Sequence, residues 1–259
     1  MIIVFDIGNT NIKIGLFEGD ELVETLRIAS SNKTGDEYWV LIKDMLALKN
    51  LSARDVKGAI ISSVNPSLNY TFEHMVETYF GIKPMTVGAG LKTGLSIKYD
   101  NPKELGADRV AGCVAAYRLY GAPCIVIDCG TATTFNVVSG AGEFLGGAIS
   151  FGLKAAAEAL ATNAARLPEV ELAAPTSAIG KTTITNMQSG IIYGYSGMVE
   201  SMVKRIKKEA GLPDAKVIAT GGISDIVNKC VDVIDVVDRT LTLRGLNIIY
   251  GINADKRRI

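Results

Sequence analysis

Residues 106–109 read Gly-Ala-Asp-Arg, which packs a glycine, a carboxylate and a guanidinium into four consecutive positions. The apolar, helix-compatible stretch from Val110 to Tyr117 follows directly, so the run is expected to open a helix. A carboxylate there is favoured by the helix dipole alone, so a purely structural role for it is available. The chain has one histidine, His74, so general-base chemistry near neutral pH falls first to a carboxylate, and Asp108 is the first candidate. His74 sits between Glu73 and Met75 on an expected helix, a setting that suits a structural histidine.

The segment Asp6-Ile-Gly-Asn-Thr-Asn-Ile-Lys13 reads as strand, turn and strand with Gly8 at the bend. Gly8 lets backbone N–H groups approach an anion closely, and Asn9, Thr10 and Asn11 add side-chain donors. Asp6 at a strand end could hold a hydrated Mg²⁺, which usually takes one or two carboxylates plus phosphate oxygens. Lys13 could reach a phosphate as a point charge. Taken alone, the segment also fits an ordinary Gly-Asn hairpin. A second copy, Asp128-Cys-Gly-Thr-Ala-Thr-Thr134, favours the functional choice: at an offset of 122 residues, Val4 to Asn9 aligns with Val126 to Thr131 and keeps both the aspartate and the glycine. Two such hairpins, one in each half, are expected to face each other across a cleft and clamp a polyphosphate, with donors preorganised around a transferring phosphoryl group. Thr220-Gly221-Gly222 ends a strand and opens a helix. It suits an adenosine or α-phosphate contact, or is a plain strand-to-helix turn. Its first-half counterpart is Ser62-Ser63-Val64-Asn65.

The elements that must position these groups follow a repeated pattern. Strands are expected at 2–6, 11–17 and 22–28, a helix at 36–48, a strand at 58–63, a helix at 68–80 and a short strand near 84–87. The second half repeats the scheme with strands at 124–128, 134–138 and 143–149, helices at 153–165 and 187–210, and a strand at 216–220. A helix at 223–230, a strand at 232–237 and a closing helix at 241–253 complete it. A repeat near half the chain length points to two similar α/β lobes, 1–120 and 121–259, each a mixed sheet flanked by helices.

Composition excludes several alternatives. Lys+Arg and Asp+Glu number 27 each, so no basic excess exists to neutralise nucleic-acid phosphates. The basic cluster at 204–208 is expected to be a solvated helix face, and Asp-Lys-Arg-Arg at 255–258 a polar tail. No basic n-region precedes the first apolar run, and no uncharged stretch approaches the ~18 residues of a membrane span. The four cysteines (113, 124, 129, 230) show no CxxC pair and no zinc spacing, which suits reduced thiols in a cytoplasmic protein. Gly180-Lys181-Thr182 imitates the end of a Walker A loop, but Pro175 occupies the place of its first glycine. There is no GxGxxG after a strand, which argues against a Rossmann dinucleotide site.

Asp-x-Gly-Asn-Thr-Asn at 6–11, Gly-Ala-Asp-Arg at 106–109 and Asp-x-Gly-Thr-Ala-Thr at 128–133, in this order and spacing, closely resemble type III pantothenate kinase, of the acetate kinase, hexokinase and actin superfamily. The resemblance runs from Met1 to about residue 253. It implies two actin-like (ribonuclease H-like) lobes and ATP-dependent phosphorylation of pantothenate to 4'-phosphopantothenate, the first step of coenzyme A synthesis. Carried onto this chain, it implies that the 6–13 segment and Thr131 bind ATP, with Mg²⁺ alongside, and that Asp108 accepts the proton of the pantothenate hydroxyl. Gly106, Ala107, Asp108 and Arg109 would bind pantothenate, Arg109 through its carboxylate, with Tyr99 lining the pocket. Asp128 would hold a monovalent cation (K⁺ or NH₄⁺), and Thr183 would contact substrate from the partner subunit of a homodimer. The chain departs from the family pattern at Thr182, often asparagine, and at Phe151, often proline. Two competitors remain: a kinase of another hydroxy-acid or sugar on the same fold, and a non-catalytic accessory factor in transcription, against which stand the zero net charge and the full set of Asp6, Asp108 and Asp128.

Overall fold

The computed structural model describes residues 1–164 and 166–254; the last position of the expected 153–165 helix and the polar tail at 255–258 lie outside the described residues. Ile2–Ile7 (β1), Asn11–Glu18 (β2) and Glu21–Ala29 (β3) form an antiparallel meander. β1 is a near-continuous apolar run and is buried almost throughout, as a central strand covered on both faces must be. Gly35–Ala47 (α1) starts at a reciprocal capping box between Thr34 and Glu37. Gly58–Ser63 (β4) then lies parallel to β1, and Asn69–Phe80 (α2) and Met85–Thr86 (β5) complete the first sheet, in the order β3-β2-β1-β4-β5.

Ser96–Ile97 (β6) and Ala107–Tyr120 (α3) lead to the second sheet. Cys124–Cys129 (β7), Ala132–Val138 (β8) and Glu143–Phe151 (β9) repeat the meander. Leu153–Asn163 (α4), Thr183–Glu209 (α5), Lys216–Thr220 (β10), Ser224–Asn228 (α6), Val236–Val237 (β11) and Leu241–Ala254 (α7) follow. The order β11-β10-β7-β8-β9-β6 is that of the first sheet, with β6 added beyond β9. The internal repeat is therefore structural: β7 begins and ends 122 positions after β1.

Several boundaries differ from the sequence expectation. β8 begins at Ala132 and β9 ends at Phe151 because those two residues pair and extend the ladder to the turn. α5 begins at Thr183 rather than 187, since a capping box between Thr182 and Thr185 nucleates it early. The 232–237 strand shrinks to two residues, the only ones that pair with β10.

By contacts the chain falls into two units, Met1–Leu95 with Asp100–Ala115 and the segment from Leu241, and Ser96–Tyr99 with Ala116–Thr240. The division differs from a single cut at residue 120 because α7 returns to the first unit. There Leu243, Leu246 and Ile249 share a core with Val4 and Ile60, the face of the sheet opposite the one that α1 and α2 cover through Tyr38, Ile42, Phe72 and Met75. In the second unit Ile125, Ile127 and Phe135 pack against Leu153 of α4 and Ile192, Val199 and Val203 of α5. Among the described residues no helix is long and apolar enough to cross a membrane.

Candidate active site

In the first unit the chemistry gathers at the end of β1. Asp6 is 7% exposed and faces Lys13 across the antiparallel ladder and Ser62 across the parallel one. Register therefore lines up an ammonium, a carboxylate and a hydroxyl across three adjacent strands. Lys13 Nζ lies 3.7 Å from Asp6 Oδ2, and Ser62 Oγ donates to Asp6 Oδ1 at 3.4 Å. The turn that follows is tight: Gly8 N donates to Asn11 O at 3.0 Å, and a Cβ on Gly8 would stand 2.9 Å from that oxygen. Asn9, Thr10 and Asn11 are exposed at its tip. Ser30, just beyond β3, holds the turn from the side, its Oγ donating to Gly8 O at 2.6 Å and its N to Thr10 O at 3.0 Å.

The second unit builds the same row with different chemistry. Asp128 faces Thr134 on β8 and Thr220 on β10. Where Lys13 stands opposite Asp6, an uncharged threonine stands opposite Asp128. Gly130 N donates to Ala132 O at 3.1 Å, and Thr131 is exposed at the tip. Gly221, at the end of β10, has φ +98°; a Cβ there would lie 2.5 Å from Cys129 O and 2.7 Å from Asp128 Oδ1. A Cβ on Gly130 would lie 3.6 Å from the same carboxylate oxygen. Gly221 thus keeps a side chain away from Asp128 Oδ1, whereas a Cβ at Gly130 would make only ordinary contact.

Gly106, Ala107, Asp108 and Arg109 stand at the start of α3, as expected from the sequence. Val110 N donates to Gly106 O at 3.2 Å, and Asp108 Oδ1 accepts from Arg109 N at 2.7 Å. Gly106 gives room to that carboxylate, because a Cβ would be 2.6 Å from Asp108 Oδ1 and 3.5 Å from Val64 Cγ1. Asp108 and Arg109 are half-buried, a setting in which a carboxylate keeps access to solvent-borne groups. Tyr99 belongs to the second unit, its ring edge-on to Phe144 at 6.0 Å. Thr183 is the first residue of α5 and is exposed. His74 lies on α2, stacked on the exposed Tyr70 ring at 5.7 Å.

One constellation was not legible beforehand. Beneath the second hairpin, Thr133 Oγ1 donates to Phe151 O at 2.9 Å and lies 2.6 Å from the hydroxyl of Tyr195, sixty-two positions away on α5. Burial pushes the Cys129 thiol up to about 12, a hydrogen bond with Tyr195 partly opposing and the Asp128 charge adding. Burial also raises the Tyr195 hydroxyl, helped by the neighbouring Cys129. The available signal was spacing: Tyr195 follows Met187 and Ile191 at steps of four on the buried stripe of α5, where a phenylalanine would serve packing alone.

Solved structures with this fold come from several functional classes. A Campylobacter jejuni protein assigned to the Baf family of transcriptional activators superposes with a TM-score of 0.62 at 20% identity, covering 98% of this chain and 99% of its own. An activator of 2-hydroxyisocaproyl-CoA dehydratase from Clostridium difficile with bound ADPNP gives 0.54 at 11% identity, with 100% and 97% covered. A ROK hexokinase from Thermus thermophilus gives 0.52 at 14%, with 96% and 97% covered. At these identities the likeness shows the fold, two actin-like (ribonuclease H-like) lobes, each a mixed sheet flanked by helices. A family model described as type III pantothenate kinase matches residues 2–205, a span that contains both Asp-x-Gly hairpins and the helix entry at Asp108. On that match the chain belongs to the type III pantothenate kinase family.

Proposed function

We propose that this protein is a kinase that transfers the γ-phosphoryl group of ATP to the hydroxyl of pantothenate, yielding 4'-phosphopantothenate at the first step of coenzyme A biosynthesis. The observation that carries the proposal is the duplicated row: both units place an aspartate at the same point of the same strand order, followed by a tight glycine turn with exposed donors. ATP takes its contacts from Asp6, Gly8, Asn9, Thr10, Asn11 and Lys13, and from Thr131 and Gly221. A loose phosphoryl-transfer transition state needs mainly positioning and charge stabilisation, which turn N–H groups and one lysine supply. Asp108 orients the acceptor hydroxyl and takes its proton late in the transfer. Arg109 meets the acceptor carboxylate, the pairing for which a guanidinium fork is suited, and Tyr99, Gly106 and Ala107 are the further residues proposed to contact pantothenate.

The donor sets fit the implied cations. Among the described residues no group of three or more His, Cys, Asp or Glu is placed to hold a metal. A Mg²⁺ brought by the ATP phosphates, with Asp6 as its protein carboxylate, needs no such cage. Asp128 would hold one monovalent cation, K⁺ or NH₄⁺, which would offset phosphate charge there. The active species is a homodimer in which Thr183 serves the partner's site; the exposed Ile179 and Ile184 beside it support cover by a second copy. Four free cysteines accord with a cytoplasmic enzyme.

The test is ATP consumption with pantothenate, with potassium present and then replaced by sodium. The expected rate requires both, and a rate that needs neither overturns the proposal. The likeness to the Campylobacter protein favours a second possibility, a transcriptional accessory role. DNA association without ATP consumption would select it, and turnover on a sugar or another hydroxy-acid in place of pantothenate would redirect the substrate alone.

A further inference from the structure

We infer that Tyr195 is a positioning residue that holds the second phosphate hairpin from beneath through Thr133 and Phe151, and that Tyr38 does the same for the first hairpin. The inference rests on the proposed ATP-dependent reaction. Thr133 is fully buried and in register with Cys129, the last residue of β7. Its hydroxyl carries one proton, which goes to the Phe151 carbonyl at 2.9 Å, an oxygen that can only accept. Tyr195 must therefore donate in its 2.6 Å contact with Thr133 Oγ1.

The order Tyr195 to Thr133 to Phe151 ties α5 to the start of β8 and the end of β9, and Thr133 is paired in turn with Cys129 at the end of β7. Those three strand ends surround the Gly130–Thr131 turn. Gly152, next to Phe151, packs so closely on the carbonyls of Gly130 and Thr131 that a Cβ there would overlap both. A shift of Phe151 is thereby passed to the turn, which carries Thr131 at its tip and Asp128 at its root.

The first unit repeats the device with other residues. Tyr38 on α1 is fully buried; its hydroxyl donates to Ser31 O at 2.7 Å and accepts from Ser31 N at 3.1 Å. The adjacent Ser30 holds Gly8 O and Thr10 O. β3 and β9 are counterparts in the two sheets, so in both units a helix tyrosine reaches the end of the third strand, and that segment grips the turn after the Asp-x-Gly step. Phenylalanine would fill the same volume without a buried hydroxyl to satisfy, and a buried hydroxyl is costly unless paired. Two unrelated sets of partners serving one purpose point to alignment of the turns.

The experiment compares Tyr195→Phe, Thr133→Val, the double variant and Tyr38→Phe with wild type. It reads the affinity of Mg²⁺-ADPNP by calorimetry, the KM for ATP and for pantothenate, and the melting temperature. Tyr195→Phe is expected to weaken ADPNP binding and raise the ATP KM roughly 5- to 150-fold, the range for a buried hydroxyl left without its partner. The pantothenate KM stays put, and the double variant is no worse than Thr133→Val. Tyr38→Phe likewise moves the ATP KM and not the pantothenate KM. Should Tyr195→Phe fail to fold, Thr133→Val reads the same link from its other end. A lower melting temperature with unchanged ADPNP affinity and unchanged KM values, or additive losses in the double variant, overturns the inference. ADPNP binding needs no acceptor, so a wild-type protein that binds it but ignores pantothenate refutes the acceptor alone. A wild type that binds no nucleotide overturns both.

Discussion

Gly221→Ala tests the proposed second phosphate row most directly. The backbone there has φ +98°, where an L side chain meets its own carbonyl, at a cost of roughly 1–2 kcal/mol. The added methyl would stand 2.5 Å from Cys129 O and 2.7 Å from Asp128 Oδ1. Against the 3.4 Å at which ordinary contact begins, these fall short by about 0.9 and 0.7 Å. The carboxylate can rotate away, but the Cys129 carbonyl belongs to β7 and its residue is paired with Thr133, so the strand end must move. Overpacking of this kind costs about 1–3 kcal/mol. Together the two effects predict a loss of about 2–5 kcal/mol, or about 5–15 °C in melting temperature for a chain of this length. Function should fall with it, because the oxygen that yields is that of Asp128. The ATP KM and the potassium requirement are therefore measured on the fraction that remains folded. Gly222→Ala is the control: the next residue is exposed and its Cβ would meet nothing within 4 Å, so its stability should stay within about 0.5 kcal/mol of wild type. A Gly221→Ala protein that melts within about 2 °C of wild type with an unchanged ATP KM would refute the reasoning.

Asp108→Asn is expected to keep ATP binding and lose turnover by roughly 10²–10⁴, the usual range for a general base, and near-normal kcat in that variant removes Asp108 from the mechanism. Gly106→Ala would press a methyl against Asp108 Oδ1, the mobile end of a short side chain, so stability changes little while kcat drops about 10²-fold through misplacement; equal kcat at equal stability refutes it. Burial lifts the Cys124 and Cys129 thiols from an ordinary value of 9.0 to about 12. Their neutral forms favour the folded state, so the stability they contribute is complete below pH 9 and is lost as pH rises from 9.0 through about 12. Urea midpoints that hold steady across that window would contradict it. The same burial predicts that neither thiol reacts with a thiolate-selective reagent at pH 8 in the native protein, whereas both react in urea.

Much of the fold was legible because it is written in short-range pattern. β4 and β10 fall at the expected residues, since each is an apolar run with a clear turn at both ends. The errors fall where pairing partners decide length, as at the ends of β8 and β9, or where a cap decides it, as at Thr182 before α5. β11 was overlong in expectation because Asp232 to Val237 reads as strand-like, while its neighbour β10 offers pairing only at Ile218 and Ala219.

The sequence by itself determined the two Asp-x-Gly turns, their repeat at 122 residues and the opening of a helix at Asp108, because each depends on neighbours a few positions apart. Only the tertiary structure decided what stands beside the aspartates. Ser62 reaches Asp6, and Thr220 reaches Asp128, through parallel pairings closed by long crossovers, and such pairings leave no local periodicity to read. Lys13 and Thr134 could be placed opposite the two carboxylates only once the hairpin registers were known. The tyrosines beneath the turns are further still from sequence logic. A residue on the apolar stripe of a helix advertises burial, and which buried hydroxyl its oxygen will meet is decided when helix and sheet pack together.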